Sequence, residues 1–449
     1  MLRMLICAFF LTTGLGAAIP IPDRDPFYQP PLDFASSPPG TVFSNRNVYS
    51  GITGVSAVQL LYRTTYINGT AAATVATVLK GPSSTGSKLV AYNDFEDAVN
   101  TTCAPSYLFS TNGTNTLFGP EGGNEIAYGL ANGWTIVVPD YEGIASAFAV
   151  GRQEGFAVLD SLRAALNYAP LGISKSARLG AYGYSGGAIA TGWAASLQPT
   201  YAPELNIAGW AFGGTPSNVT STLQNVDGTV FAGFAGAGIA GTMLAYPALE
   251  ALFSQIATSA GQAAIAKIKT QCAIDDLLGF AGVKIESTQY QSLGAQLLYD
   301  PTVAAILVQG TMGINANETP KAPVYMYHSS SDEVIPYASA VKTANAWCAF
   351  GASVEFVTET GGTGHLTTEP ALIQNATDWL DLRLDGTPAA VGCFNATYSA
   401  GGLPFKRSGS GLSIIEIFGE GDSKVIADID KRHAEGREIP SFRSYLKMF

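Results

Sequence analysis

A ten-residue stretch, Leu179-Gly180-Ala181-Tyr182-Gly183-Tyr184-Ser185-Gly186-Gly187-Ala188, constrains this chain more than any other part of it. It reads as an apolar strand that breaks at a glycine-flanked serine and continues into a small-residue opening of a helix. A strained strand-to-helix turn of this kind presents a serine hydroxyl above the end of a sheet. The pattern Gly-x-Ser-x-Gly is weak by itself in a chain with 50 glycines among 449 residues. Its surroundings decide what it means.

Those surroundings alternate short β-rich runs with helical patterns, the signature of a parallel sheet with crossover helices. Strands are expected over 56–66, 72–79, 88–93, 134–139, 206–212, 323–327 and 353–357. The run Trp134-Thr135-Ile136-Val137-Val138-Pro139 is almost wholly apolar, as a strand buried on both faces should be. Phe156, Leu159, Leu162 and Leu166 recur at helical spacing, which predicts a crossover helix ahead of the serine strand.

Between Thr215 and Ala322 the sheet pattern stops for about a hundred residues. The insertion is rich in alanine and glycine, with helices expected over 247–266 and 290–308. We read it as a cap over the carboxyl ends of the strands, where α/β sheets keep their ligand crevice. Within it, 228–249 is uncharged and about long enough to cross a bilayer. Five glycines, Pro247 and the lack of a flanking basic cluster favour a cap packed on acyl chains over a membrane span. Gly236-Ala237-Gly238-Ile239-Ala240-Gly241 matches a dinucleotide-binding fingerprint in letters only, because no strand precedes it.

A serine becomes a nucleophile when a base takes its proton and a third group orients that base. Of three histidines, His328 sits in an apolar run and reads as structural, and His433 lies in a charged tail. His365 follows a predicted strand in a glycine-rich loop and is the candidate base. Asp332, at the end of the preceding strand, is the candidate acid, with Glu333 and Glu359 as alternatives; Asp332 could instead only cap the helix that begins near Pro336. The order Ser185, Asp332, His365 is that of α/β-hydrolases. Oxyanion donors are expected from the backbone N–H of Gly186 and from the loop 94–98.

A formal net charge of −11 argues against a nucleic-acid binder, which needs a basic face. Arg3, an uncharged run over 4–15 and the small residues Gly16, Ala17 and Ala18 predict a secretory signal peptide cleaved after Ala18, taking Cys7 with it; a buried N-terminal helix is the other reading. Cys103, Cys272, Cys348 and Cys393 remain, an even number in an oxidising route, so two disulfides are expected in one of three pairings. No Cys-x-x-Cys spacing occurs, and neither a metal site nor a cofactor is expected. Sequons at Asn68, Asn100, Asn112, Asn218, Asn317, Asn375 and Asn395 fit a secreted glycoprotein.

The chain resembles the fungal secretory lipases of the lipase A type over nearly all of the mature sequence to Cys393. The resemblance is carried by Asp25-Pro26-Phe27-Tyr28-Gln29-Pro30-Pro31, Phe95-Glu96-Asp97-Ala98, Cys103-Ala104-Pro105-Ser106-Tyr107, the Gly183 to Gly187 turn, Tyr201-Ala202-Pro203-Glu204-Leu205-Asn206-Ile207 and Gly213-Gly214-Thr215-Pro216. It implies an α/β-hydrolase core with a helical cap, a Ser185–Asp332–His365 triad, and triacylglycerols or other carboxylic esters as substrates. It also implies that Asp97 joins Gly186 in the oxyanion hole, through a protonated carboxyl or through its backbone N–H, and that Cys103 pairs with Cys272 and Cys348 with Cys393. Phe212 and Tyr141 stand where histidines are common in that family, and the tail from Asn395 to Phe449, where the family would place a flap, matches poorly.

The expected organisation is a signal peptide over 1–18, a mostly parallel α/β-hydrolase core over 19–216 and 322–393, a helical cap over 217–321 inserted between late strands, and a tail over 394–449. The expected function is a secreted, extracellular serine carboxylester hydrolase, a triacylglycerol lipase acting on lipid or other ester at a lipid–water interface. It would need no nucleic-acid partner and no transmembrane span in the mature chain. An esterase deacylating a specialised metabolite, an acyltransferase and a non-catalytic lipid-binding hydrolase fold are the competing readings.

Overall fold

The computed structural model describes residues 19–110 and 123–400. The expected signal peptide, Cys7, the sequon at Asn112, the tail from residue 401 and His433 lie outside the described residues.

Ten strands form one sheet: β1 (Val42–Val48), β2 (Ser56–Thr65), β3 (Ala71–Lys80), β4 (Lys88–Asn93), β5 (Thr135–Pro139), β6 (Arg178–Tyr184), β7 (Ile207–Gly213), β8 (Val324–Ser329), β9 (Val354–Glu359) and β10 (Cys393–Tyr398), in the spatial order β1-β2-β3-β5-β4-β6-β7-β8-β9-β10. The first three strands pair antiparallel, as does β3 with β5; every pairing from β5 to β10 is parallel. All five residues of β5 are buried, which explains why that stretch is apolar without alternation.

The helices are α1 (Pro105–Ser110), α2 (Gly123–Ala131), α3 (Gly151–Asn167), α4 (Gly186–Tyr201), α5 (Val219–Val226), α6 (Ala232–Ala245), α7 (Pro247–Ile256), α8 (Ser259–Ile268), α9 (Ala273–Phe280), α10 (Pro301–Leu307), α11 (Tyr337–Ala349) and α12 (His365–Leu384). One face of the sheet packs on α3, α4 and α11 through Leu162, Trp193 and Trp347; the other packs on α2 and α12 through Ile126, Leu372 and Leu380. Burying both faces leaves the carboxyl ends of the parallel strands as the natural place for a site.

From α5 to α10 the chain leaves the sheet and forms a helical layer with its own small core of Leu297, Leu298 and Val303 against Leu249 and Leu252. The single helix expected over 247–266 is broken: Thr258 caps α8 by accepting the Gly261 N–H at 3.1 Å, and Ala257 bridges to Gln291. The segment 290–308 is two short turns of helix rather than one, with Asp300 capping α10. The uncharged run 228–249 is α6 and the start of α7, and no described helix is long and apolar enough to cross a membrane. Its glycine pattern serves packing, since a side chain at Gly241 would collide with the backbone of Phe148.

Cys103, beside α1, is bonded to Cys272, directly before α9, and ties the helical layer to the core; Cys348 on α11 is bonded to Cys393 at the start of β10. The sheet therefore continues past residue 393 into the segment read from sequence as tail. β1 and β10 escape a sequence reading because both are edge strands that lack a continuous buried run.

Candidate active site

The serine turn rests on one strained backbone angle and two close approaches. Ser185 directly follows β6 and precedes α4 with φ of +52°, a region that costs a non-glycine residue conformational energy. The neighbours leave no room for side chains: at Gly183 a Cβ would strike the carbonyl of Gly187, and at Gly187 it would strike the carbonyl of Asn93 in β4. Glycine on both sides thus lets the turn sit against the neighbouring strand and hold Ser185 in place.

His365 is the first residue of α12 and is buried. Its Nε2 lies 2.8 Å from Ser185 Oγ, and its Nδ1 lies 2.8 Å from Asp332 Oδ2. Burial by itself would lower the imidazole pKa; the Asp332 carboxylate outweighs it, with Glu333 and Asp97 adding, so the pKa ends above its ordinary value. For Asp332 burial works in the opposite sense, yet His365 and His328 beside it hold the carboxyl well below the usual carboxylate range.

Asp332 does not cap α11. Its Oδ1 accepts the N–H groups of Val334 and Ile335 at 3.0 and 2.7 Å within the turn after β8. Glu333 reaches His365 only through the backbone, accepting its N–H at 2.9 Å. Glu359 accepts from Gly361, Thr363 and Ala400 and shapes the loop before α12. His328 is buried at the end of β8 beside Asp332.

The loop after β4 brings Asp97 to the serine turn, with φ of +45°. Its backbone N–H donates to Glu142 Oε1 at 3.1 Å, whereas its side-chain Oδ1 is buried and has no hydrogen-bond partner among the described residues. Burial pushes the Asp97 carboxyl up to about 7, against the pull of His365. Gly186 stands directly beneath that carboxyl. Behind the loop lie further buried acids, all pushed up first by burial: Glu96, bonded by Ser146 Oγ at 2.7 Å and raised further by Asp140; Glu142, raised further by Glu96 and Glu154; and Glu154, raised further by Asp97. This acid cluster has no motif of its own in the sequence; only the four-residue match around Asp97 points to it.

Above Ser185 opens an apolar cavity walled by the helical layer, with Phe234, Ile239, Leu252 and Ile306 among its lining residues. Asp97 is the one carboxyl on its wall among the described residues. Phe212 and Tyr141 do not line it: Phe212 packs edge-on against Trp347 in the core, and Tyr141 is buried by the acid cluster. Four sequon asparagines, Asn68, Asn317, Asn375 and Asn395, are exposed; Asn100 and Asn218 are half-buried, each accepting a backbone N–H in a turn or helix cap. Among the described residues no group of His, Cys, Asp and Glu could hold a metal ion.

A largely parallel sheet flanked by helices, with a serine at a glycine-walled turn at a strand end, defines an α/β-hydrolase. Residues 123–392 match the model of the secretory lipase family. A secreted triacylglycerol lipase of Malassezia furfur is 37% identical over 398 residues, covering 87% of this chain and 81% of that protein, and a second from the same organism is 40% identical over 382 residues, covering 83% and 81%. The crystal structure of Candida antarctica lipase A in its closed state superposes with a TM-score of 0.78 at 31% identity, over 92% of this chain and 95% of that one. The chain belongs to the secretory lipase family.

Proposed function

We propose that this protein is a secreted, extracellular triacylglycerol lipase that works through an acyl-enzyme on Ser185. The observation that carries the reading is the hydrogen-bonded line from Ser185 Oγ through His365 to Asp332 at the floor of an apolar cavity. Ser185 Oγ attacks the ester carbonyl as His365 Nε2 takes its proton; the imidazolium is stabilised by Asp332 and then protonates the leaving alcohol. Water, activated by the same histidine, releases the fatty acid and restores the serine.

The oxyanion formed at each step sits between the backbone N–H of Gly186 and the side chain of Asp97. Because the Asp97 amide is engaged by Glu142, its carboxyl is the group left to face the oxyanion, and it donates only while it carries a proton. Burial favours that state.

In this reading 217–321 is the cap that supplies the acyl-binding wall, 19–216 and 322–393 form the catalytic core, and 1–18 is a signal peptide. The relatives' names as secreted lipases support both the export and the substrate. The apolar wall favours fatty acyl chains over a polar metabolite.

The test is Ser185→Ala assayed on tributyrin and olive oil, together with fluorophosphonate labelling. Turnover should fall by about 10⁶-fold and labelling should vanish, by analogy with other serine hydrolases. Labelling that persists on the folded variant, or wild-type activity confined to short soluble acetates, would overturn the nucleophile or the lipase reading respectively.

A further inference from the structure

The second buried histidine has a geometry that a merely structural residue does not need. His328 Nε2 lies 3.2 Å from Asp332 Oδ2 and 3.1 Å from the carbonyl oxygen of Ile335, while its Nδ1 is buried and unpartnered. A carbonyl oxygen only accepts, so Nε2 is the protonated nitrogen of this ring; its N–H donates to Ile335 and has Asp332 Oδ2 as a second, longer contact. Asp332 Oδ2 is also the atom facing His365 Nδ1. Both imidazoles therefore face Oδ2, His365 through a hydrogen bond and His328 through a longer contact of its shared N–H, and two backbone amides hold Oδ1.

We propose that His328 is a positioning residue for the reaction, fixing the Asp332 carboxylate and drawing charge from the very oxygen that orients His365. This rests on the reading of Ser185, His365 and Asp332 as the reacting set. A carboxylate that shares its charge with a second donor stabilises the imidazolium less, so His328 keeps the basicity of His365 in check. With that donor removed, Oδ1 stays anchored by the Val334 and Ile335 amides, Oδ2 carries more charge, and His365 holds its proton to higher pH.

The groups around both rings fit this role. Tyr337 of α11 meets His328 edge-on at 5.9 Å, its hydroxyl bonded to Thr358 of β9, and Asp332 is the charged neighbour the structure gives His328. His365 is faced by Asp332 and Glu333 from the turn after β8, by Asp97 from the loop after β4, and by Ser185 and Tyr184 from the end of β6.

The test compares His328→Phe, which keeps a ring against Tyr337 without a donor, with His328→Gln, whose amide nitrogen can stand near the position of Nε2. kcat and KM for a soluble p-nitrophenyl ester are measured across pH, per fluorophosphonate-titratable site so that only folded enzyme counts. His328→Phe should leave KM nearly unchanged and move the acid limb of its kcat/KM profile upward by about half a pH unit, a roughly threefold loss on that limb; this is a fraction of the roughly one to two units that a full hydrogen bond to a charged group would be worth, because the His328 N–H is shared with Ile335. His328→Gln should restore the limb. If the Phe variant does not accumulate, His328→Met takes its place. An acid limb that stays put or moves downward while labelling is intact overturns the role of His328; failure of the probe to label wild-type Ser185 overturns the underlying triad instead.

Discussion

The carboxyl of Asp97 lies directly over the α-carbon of Gly186, so closely that a methyl group there would collide with Oδ1. Gly186 is thus small for a reason beyond helix packing: its bareness leaves room for the Asp97 carboxyl, which under the proposed mechanism lets a side-chain donor and a backbone donor converge on one point.

Gly186→Ala is expected to displace the Asp97 carboxyl and lower kcat by about 10²-fold or more, the usual cost of one oxyanion donor. Active-site titration would separate this loss from misfolding. Full kcat per titrated site would show that the Asp97 side chain is not needed where it lies.

Asp97→Asn replaces an ionisable donor with a permanent one. In the wild type, activity should rise as His365 loses its proton, above the ordinary histidine value, and fall as Asp97 ionises near about 7. The Asn variant should keep substantial activity and lose the alkaline fall, whereas Asp97→Ala should drop by about 10² to 10³-fold. A pH profile with the same alkaline limb in wild type and Asn variant would assign that limb to another group.

Stability should lean to the acid side. Asp94, Asp97 and Asp140 are each pushed by burial from an ordinary 3.8 up to about 7. Between those values the folded chain binds more protons than the unfolded one, so their contribution is complete below about pH 4 and declines as pH rises through about 7. Asp332 has the opposite sign, but its contribution is lost only below its ordinary 3.8. The thermal unfolding midpoint should therefore be higher at pH 5 than at pH 8. Calorimetry giving equal midpoints, or the reverse order, would contradict the neutral state of these carboxyls.

Cys103 and Cys272 are separated by 169 residues, so their bond closes a long loop between the sheet and the helical layer. Removing it with the double variant Cys103→Ala, Cys272→Ala should cost about 5 kcal/mol on the chain-entropy account. Urea titration checks the magnitude, and limited proteolysis should cut first within 217–321. An unchanged unfolding midpoint would mean that the helical layer is held by packing alone.

How much of this is legible in the sequence depends on the range of each signal. The buried β5, the turn at Ser185 and the helix α3 announce themselves within a few neighbouring residues, and the order of acid and histidine after the serine narrows the candidates to the three that the fold brings together. What escapes reading is created by contact. β1 and β10 are strands because a neighbour offers its edge; Glu142 meets the Asp97 amide across 45 positions; and His328 touches Asp332 only because the chain turns sharply after β8. The split between α7 and α8 was written in Thr258, a capping residue masked by a continuing apolar period.

The last strand carries one more consequence. Among the described residues β10 is the last strand of the sheet and is exposed along almost its whole length, the kind of edge that invites a second molecule to add its own strand. Its first residue is bonded to α11, so it cannot peel off and exchange with a copy, and Asn395 lies on it, exposed. A sugar there would block lateral pairing. Asn395→Gln, or loss of Cys393, should accordingly raise light scattering in concentrated solution; no rise in either would mean that the flank is guarded by something else.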